Sequence, residues 1–261
     1  MGWRAHRAAT LLCILAILGC LANRVSAAEE GQKIRVLITT GGHAFDRKNF
    51  FAMWDSFPGM SWRETSQTKT SEAFTPANLD RCDVVAMYDM IPNITADEEV
   101  ALQAFLKRGG GLVVLHHTIC SRQQSPTFER IIGGKFLSKP ETRDGKELPK
   151  SAATGGVRFR IHVADPKHPI TEGLADFDVE DEPYSGMIVN PRNHVLLTSD
   201  EPKSNKEIAW TRQEGKARVA FIQLGHDNKT YTNPNYKKIV ERAVQWAAAG
   251  SKGERQNANS R

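Results

Sequence analysis

Histidines close three separate apolar runs of this 261-residue chain. Residues 34–40 lead into Gly41-Gly42-His43, residues 112–115 into His116-His117, and residues 219–224 into Gly225-His226-Asp227. Imidazole is the side chain that moves protons near neutral pH and ligates divalent metals. In an α/β sheet of parallel strands, the strand ends are where loops and helix N-termini converge on a ligand. His43, His117 and His226 delivered to one such edge could hold a divalent metal, zinc being the natural choice for imidazole nitrogens, or transfer a proton.

Each motif has a functional and a plain reading. Glycines at Gly41-Gly42 let the backbone approach a ligand closely, although a tight turn with a surface His43 fits equally well. No third glycine or acidic ribose partner follows, so no dinucleotide fingerprint is present. Asp46 is expected to cap the following helix. Side chains alternate along a strand, so His116 and His117 cannot face the same way while the strand stays regular. One ring should be packed and the other should emerge at the tip, which favours a role for at least one of them. In Gly225-His226-Asp227, a carboxylate beside an imidazole can fix its tautomer and raise its basicity, or Asp227 can simply start the loop.

The run Asp181-Glu182-Pro183-Tyr184 sets carboxylates after a strand, as pocket acids or as a solvated turn. His162 lies within a predicted strand, and His168 sits among the turn residues of Asp165-Pro166-Lys167-His168-Pro169. Both are read as structural. No His-Glu-x-x-His, no cysteine pair at metal spacing and no Gly-x-Ser-x-Gly elbow occurs.

The elements that must position these residues alternate between strand and helix. Apolar β-type runs at 34–38, 61–67, 83–88 and 112–115 predict strands. Residues 46–57 carry a helical stripe ended by Pro58-Gly59. A Thr95/Glu98 capping box opens a helix that reaches Gly109, and a short helix is expected over 128–132. The expected fold is therefore α/β: a three-layer, doubly wound, mostly parallel sheet with helices on both faces. Residues 139–156 read as a polar surface excursion. Extra short strands then follow in the C-terminal half at 157–163, 179–180, 187–189, 195–197, 207–210 and 219–224, before an amphipathic helix at 235–248. The polar stretch 250–261 is expected to be a disordered tail.

The N-terminus reads as an export signal: Arg4 and Arg7, an apolar stretch over 10–18, and small residues at 25–28 that fit cleavage after Ala27. The stretch is too short to span a bilayer. A lipoprotein alternative through Cys20 is less favoured, because Leu18 fits that processing box poorly. The expected location is periplasmic or extracellular. Removal of residues 1–27 takes away three arginines and lowers the net charge from +5 to +2. With no basic run interleaved with aromatics, nucleic acid is excluded as the expected partner. Cys82 and Cys120 then remain, and both lie beside predicted buried strands, where free thiols are favoured over a disulfide.

Taken in order, several segments resemble the trehalose-utilisation (ThuA-like) family over residues 33–249. They are Gly41-Gly42-His43, the stretch from Gly109-Gly110-Gly111 to His116-His117, Ile131-Ile132-Gly133-Gly134, His168-Pro169-Ile170-Thr171-Glu172-Gly173-Leu174, Asp181-Glu182-x-Tyr184 and Leu224-Gly225-His226-Asp227. The resemblance implies a fold similar to class I glutamine amidotransferases. It also implies a link to sugar metabolism, including disaccharide breakdown through oxidised sugar intermediates. Amidotransferases of that class place a nucleophilic cysteine on the turn where this chain has His117. Cys120 comes three residues later, badly placed for a thiolate nucleophile.

The leading expectation is an exported enzyme acting on a sugar or keto-sugar derivative by acid–base chemistry. His117, His226 and Glu182 would be catalytic, and Gly42, His43, His116, Tyr184 and Asp227 would bind a small-molecule sugar or glycan. His43, His117 and His226 are the candidate metal ligands. The alternatives are a non-catalytic sugar-binding or scaffold domain, and a hydrolase using Cys120 with His226.

Overall fold

A computed structural model describes residues 33–258, with side chains described for 33–250. The stretch expected to be an export signal, with Cys13 and Cys20, lies outside the described residues. The main sheet contains β1 (Ile34–Gly41), β2 (Met60–Ser66), β3 (Val84–Asp89), β4 (Gly111–Leu115), β5 (Val157–Val163), β6 (Phe177–Asp181), β7 (His194–Thr198), β8 (Glu207–Glu214) and β9 (Ala217–Ile222). Their order across the sheet is β6-β5-β7-β8-β9-β4-β3-β1-β2. The block β9-β4-β3-β1-β2 is parallel throughout, and β8, β7, β5 and β6 extend it antiparallel.

The reason lies in the side chains. Every residue of β3 and β4 is buried, as a central parallel strand covered on both faces requires. Alternation along β4 sends Val113 and Leu115 to one face and Leu112 and Val114 to the other. The first face is covered by α1 (Arg47–Asp55) through Phe50, Met53 and Trp54. After the short α2 (Pro76–Leu79), the other face is covered by α3 (Ala96–Lys107) and α4 (Pro126–Ile132). The chain ends with α5 (Asn228–Tyr231) and α6 (Pro234–Ala258), the latter packing Tyr236, Ile239, Val240 and Val244 onto the first face. The three-layer α/β architecture is thus the expected one. Asp46 caps α1 through the Asn49 N–H, and Thr95 and Glu98 form the capping box of α3.

Some elements differ from the sequence reading. Within residues 139–156, Glu141–Arg143 and Lys146–Leu148 form a hairpin, and Ala152–Ala153 pairs with Tyr184–Ser185. The polar composition hid short strands that carry few apolar side chains. Ile188–Val189 pairs with Gly134–Lys135 outside the main sheet. The last helix continues as backbone to Ala258, into the region expected as a tail, and residues 259–261 lie outside the described residues. Among the described residues, no helix is long and apolar enough to cross a membrane.

Parallel register brings the three histidine segments level. Gly41 pairs with Asp89, Met87 with Val114, and Leu115 with Ile222, so their following residues all leave the same sheet edge. A buried ion pair holds that edge. Arg122 Nη1 donates to Asp89 Oδ1 at 2.7 Å, with both side chains fully buried. The guanidinium lies between the Phe74 and Phe128 rings. Ser121 Oγ donates to the Asp89 carbonyl and accepts from the Ile91 N–H. Together they tie the segment after β4 to the end of β3.

Removing one member of such a pair strands a buried charge, a loss of about 3–5 kcal/mol. Arg122→Ala is expected to lower unfolding free energy in urea by that amount. A loss below about 1 kcal/mol, the range of exposed pairs, would contradict this role.

Candidate active site

β4 does not continue regularly into its histidines. His116 takes a left-handed backbone conformation at φ 44°, which non-glycine residues rarely adopt. A 3-10 turn, His116–Cys120, starts there. This break removes the constraint of strand alternation, so both rings are buried, at 0% and 2% exposure, and their centroids lie 5.5 Å apart. The sequence expectation that one ring would emerge at the tip is corrected by this turn.

The His116 ring is fixed from both sides. Its Nδ1 lies 2.6 Å from the Gln223 carbonyl oxygen. A carbonyl only accepts, so Nδ1 donates, and in the neutral ring Nε2 carries the lone pair. That Nε2 lies 2.9 Å from the Tyr184 hydroxyl, 3.2 Å from His226 Nδ1 and 3.4 Å from Glu182 Oε2. His226 Nδ1 is 3.3 Å from the same Glu182 oxygen. Two imidazole nitrogens and one carboxylate oxygen therefore form a nearly equilateral triangle.

The loops that deliver these groups have their own supports. Asp181, buried at the end of β6, accepts the Gly225 N–H at 2.7 Å and the His226 N–H at 3.0 Å. Tyr88 donates to the Gly225 carbonyl at 2.7 Å, and Tyr231 donates to the His226 carbonyl at 3.0 Å. On the facing loop, Gly41 and Gly42 both have positive φ, 117° and 75°. A Cβ on Gly42 would stand 2.1 Å from the Met90 carbonyl oxygen, so only glycine lets this loop press against the end of β3. The loop carries His43, whose ring centroid is 4.8 Å from that of His117 and 6.1 Å from that of His226.

The electrostatics follow from these contacts. Burial alone would raise the Glu182 carboxyl, but its hydrogen bonds to His116 and His226 and their charge hold it far below the ordinary carboxylate range. The hydrogen bond to Glu182 outweighs burial at His226 and raises that imidazole. His117 moves the other way: desolvation, joined by the neighbouring imidazoles, pushes it well below the usual value. Neither nitrogen of His117 has a partner in hydrogen-bonding geometry.

Most of the expected site residues do meet. His43, His116, His117, His226, Glu182 and Tyr184 share the edge, and Gly42 shapes it. The tight donor set is His116, Glu182 and His226, rather than His43, His117 and His226. His116, expected as a substrate contact, is the ring that touches Glu182. Asp227 does not join the cluster, because its carboxylate accepts the Lys229 N–H and caps α5. The charged partner of His226 is Glu182, 44 positions earlier in sequence. His162 bonds Asp176 on the antiparallel extension, and His168 packs between His194 and Trp246. Neither joins the cluster.

Sequence reasoning read Asp181 only as a pocket acid or part of a solvated turn, and assigned no role to Asp89, Tyr88 or Tyr231. The signal available for Asp89 was an acid closing a wholly apolar strand at the histidine edge. For the tyrosines there was none. Cys82 and Cys120 are free, and burial pushes each thiol up to about 12. Neither is a thiolate at neutral pH, which removes the support for a hydrolase using Cys120 with His226. Iodoacetamide is expected to leave both unmodified in the native protein and to alkylate both after unfolding. Rapid native alkylation of Cys120 would contradict this.

The sequence profile of the ThuA family, described as trehalose utilisation, matches residues 35–247. No curated protein matches the chain. Among solved structures, a ThuA-like protein from Parabacteroides merdae is similar at 17% identity and TM-score 0.70, covering 84% of this chain and 91% of that one. A ThuA-like protein from Bacteroides uniformis has 18% identity and TM-score 0.61, covering 84% and 92%. PurLQS from Thermotoga maritima has 10% identity and TM-score 0.53, covering 82% and 99%. At these identities the structural likeness shows the fold.

Proposed function

The chain belongs to the ThuA family of trehalose utilisation, and from that membership and its His–Glu cluster we propose that it is a carbohydrate-metabolism enzyme using acid–base chemistry. The substrate class is a sugar or keto-sugar derivative. The observation that carries this reading is the convergence of His116, Glu182 and His226 at the C-terminal edge of the parallel strands.

The roles follow from the environments. His226, whose proton affinity the hydrogen bond to Glu182 raises, is the donor to a carbonyl or glycosidic oxygen. Glu182, kept ionised, accepts from a sugar hydroxyl and balances the charge of that proton. His117, kept uncharged by burial, offers a lone pair for proton removal. His43 lies on the exposed side of the same group, where incoming substrate meets it first. Two groups with separated proton affinities at one sheet edge are what acid–base catalysis needs. We propose further that the protein is exported, supported by the basic start, short apolar stretch and small-residue cleavage site of residues 1–28.

The test is incubation with disaccharides and their 3-keto forms, with products followed by chromatography. Wild-type protein is expected to form product. Glu182→Gln and His226→Ala should each lower kcat/KM by about 10²–10⁴-fold, the usual contribution of one acid–base group, with unchanged circular dichroism. Tight sugar binding without product would mean a sugar-binding domain instead. Unchanged turnover in both variants would remove the site.

A further inference from the structure

We propose that His116 Nε2, Glu182 Oε2 and His226 Nδ1 are the three protein ligands of one divalent transition-metal ion, zinc being the reference case. The inference concerns the same cluster as the acid–base reading and narrows it: with an ion bound, His226 Nδ1 and Glu182 are ligands in place of proton donor and acceptor, which leaves His117 and His43 as the uncoordinated imidazoles.

Geometry is the first support. The three donor atoms are separated by 3.2, 3.3 and 3.4 Å. Three vertices of a tetrahedron with metal–ligand bonds of about 2.1 Å stand about 3.4 Å apart, whereas an octahedral face at that bond length has edges of about 3.0 Å. The observed triangle fits the tetrahedral case better, with no movement of backbone. Two imidazoles and a carboxylate are a ligand set that catalytic zinc uses, leaving a fourth position for water or substrate.

The second support is the aim of the donor atoms. Nδ1 of His116 is committed as donor to the Gln223 carbonyl, which turns Nε2 toward Glu182 Oε2 at 3.4 Å and His226 Nδ1 at 3.2 Å. One cation inside the triangle would meet all three atoms together. The Tyr184 hydroxyl, 2.9 Å from the same Nε2, has Glu182 as its alternative hydrogen-bond acceptor.

The third support is the outer layer. Metal-binding histidines characteristically donate their other ring N–H to a carbonyl or carboxylate, as His116 does. The Asp181 carboxylate fixes the backbone that carries His226, and it also accepts the Glu182 N–H at 2.9 Å. One buried acid therefore positions two of the three ligands. The open side faces out: the His226 and Glu182 side chains keep 30% and 21% exposure.

The test uses purified protein stripped with a chelator, then titrated with Zn²⁺ by calorimetry and with Co²⁺ by visible absorption. Wild-type protein is expected to bind one ion per chain and to show the intense ligand-field bands of low-coordinate cobalt. Glu182→Gln, which keeps the side-chain shape, should weaken binding by at least about 10–100-fold. His162→Ala, remote from the cluster, should leave it unchanged. Absence of cobalt bands, or equal affinity in Glu182→Gln, would overturn the metal site. Chelator-resistant sugar turnover by metal-free protein that also shows no cobalt bands would overturn the metal site while leaving the acid–base reading intact. Stoichiometric binding without sugar turnover would do the reverse.

Discussion

One hydrogen bond governs the chemistry available at this sheet edge: His116 Nδ1–H to the Gln223 carbonyl at 2.6 Å. Because a carbonyl has no proton to give, the bond fixes which nitrogen faces outward. Everything that meets there, the Tyr184 hydroxyl, the Glu182 carboxylate and the His226 ring, meets a nitrogen whose lone pair is aimed by β9. The bond depends in turn on register. Leu115 pairs with Ile222 across β4 and β9, so the next residue of each strand, His116 and Gln223, stand beside one another as the strands end. A one-residue slip would exchange the two faces of β4 and is opposed by the apolar layers on both sides.

The left-handed turn at His116 is where the fold accepts strain. A non-glycine residue in that conformation costs on the order of 1–3 kcal/mol and persists only when its surroundings over-determine it. Here the Asp89–Arg122 pair, the Ser121 hydroxyl and the packing of Ile119 hold the turn after the strained residue. The parallel block supplies the edge, but the antiparallel extension makes it specific. Asp181 ends β6, and Glu182 and Tyr184 follow it directly, so one excursion of the chain brings the backbone anchor, the carboxylate and the phenol. Without β5 and β6, the histidines would lose both Asp181 and Glu182.

The overall fold was legible because its signals are local. β-branched apolar runs marked β1, β3, β4 and β9. The Thr95/Glu98 box marked the start of α3, and Asp46 the start of α1. The ordered motifs from Gly41 to Asp227 carried the family likeness, and the match over residues 35–247 agrees with it. The meeting of His43, His116, His117 and His226 at one edge also followed from strand ends alone. What stayed hidden depends on contacts between distant residues. The burial of both His116 and His117, with His116 turned to Glu182, goes with a left-handed φ of 44° at His116, which no residue type announces. The choice of Glu182 over Asp227 as the partner of His226 was set by pairing across the sheet, while the adjacent Asp227 was drawn off to cap α5. The short strands within 139–156 lacked any apolar alternation, because the half-buried face of Glu141–Arg143 is held by ion pairs to Lys135 and Glu129.

The deciding observation is the proton position on His116, read from ¹⁵N chemical shifts of histidine-labelled, metal-free protein at a pH where the ring is neutral. The geometry predicts a protonated Nδ1 with a bare Nε2 turned toward Glu182. A bare Nδ1 with its proton on Nε2 would contradict it, since the Gln223 carbonyl would then face a second acceptor and the triangle of donor atoms would lose its focus.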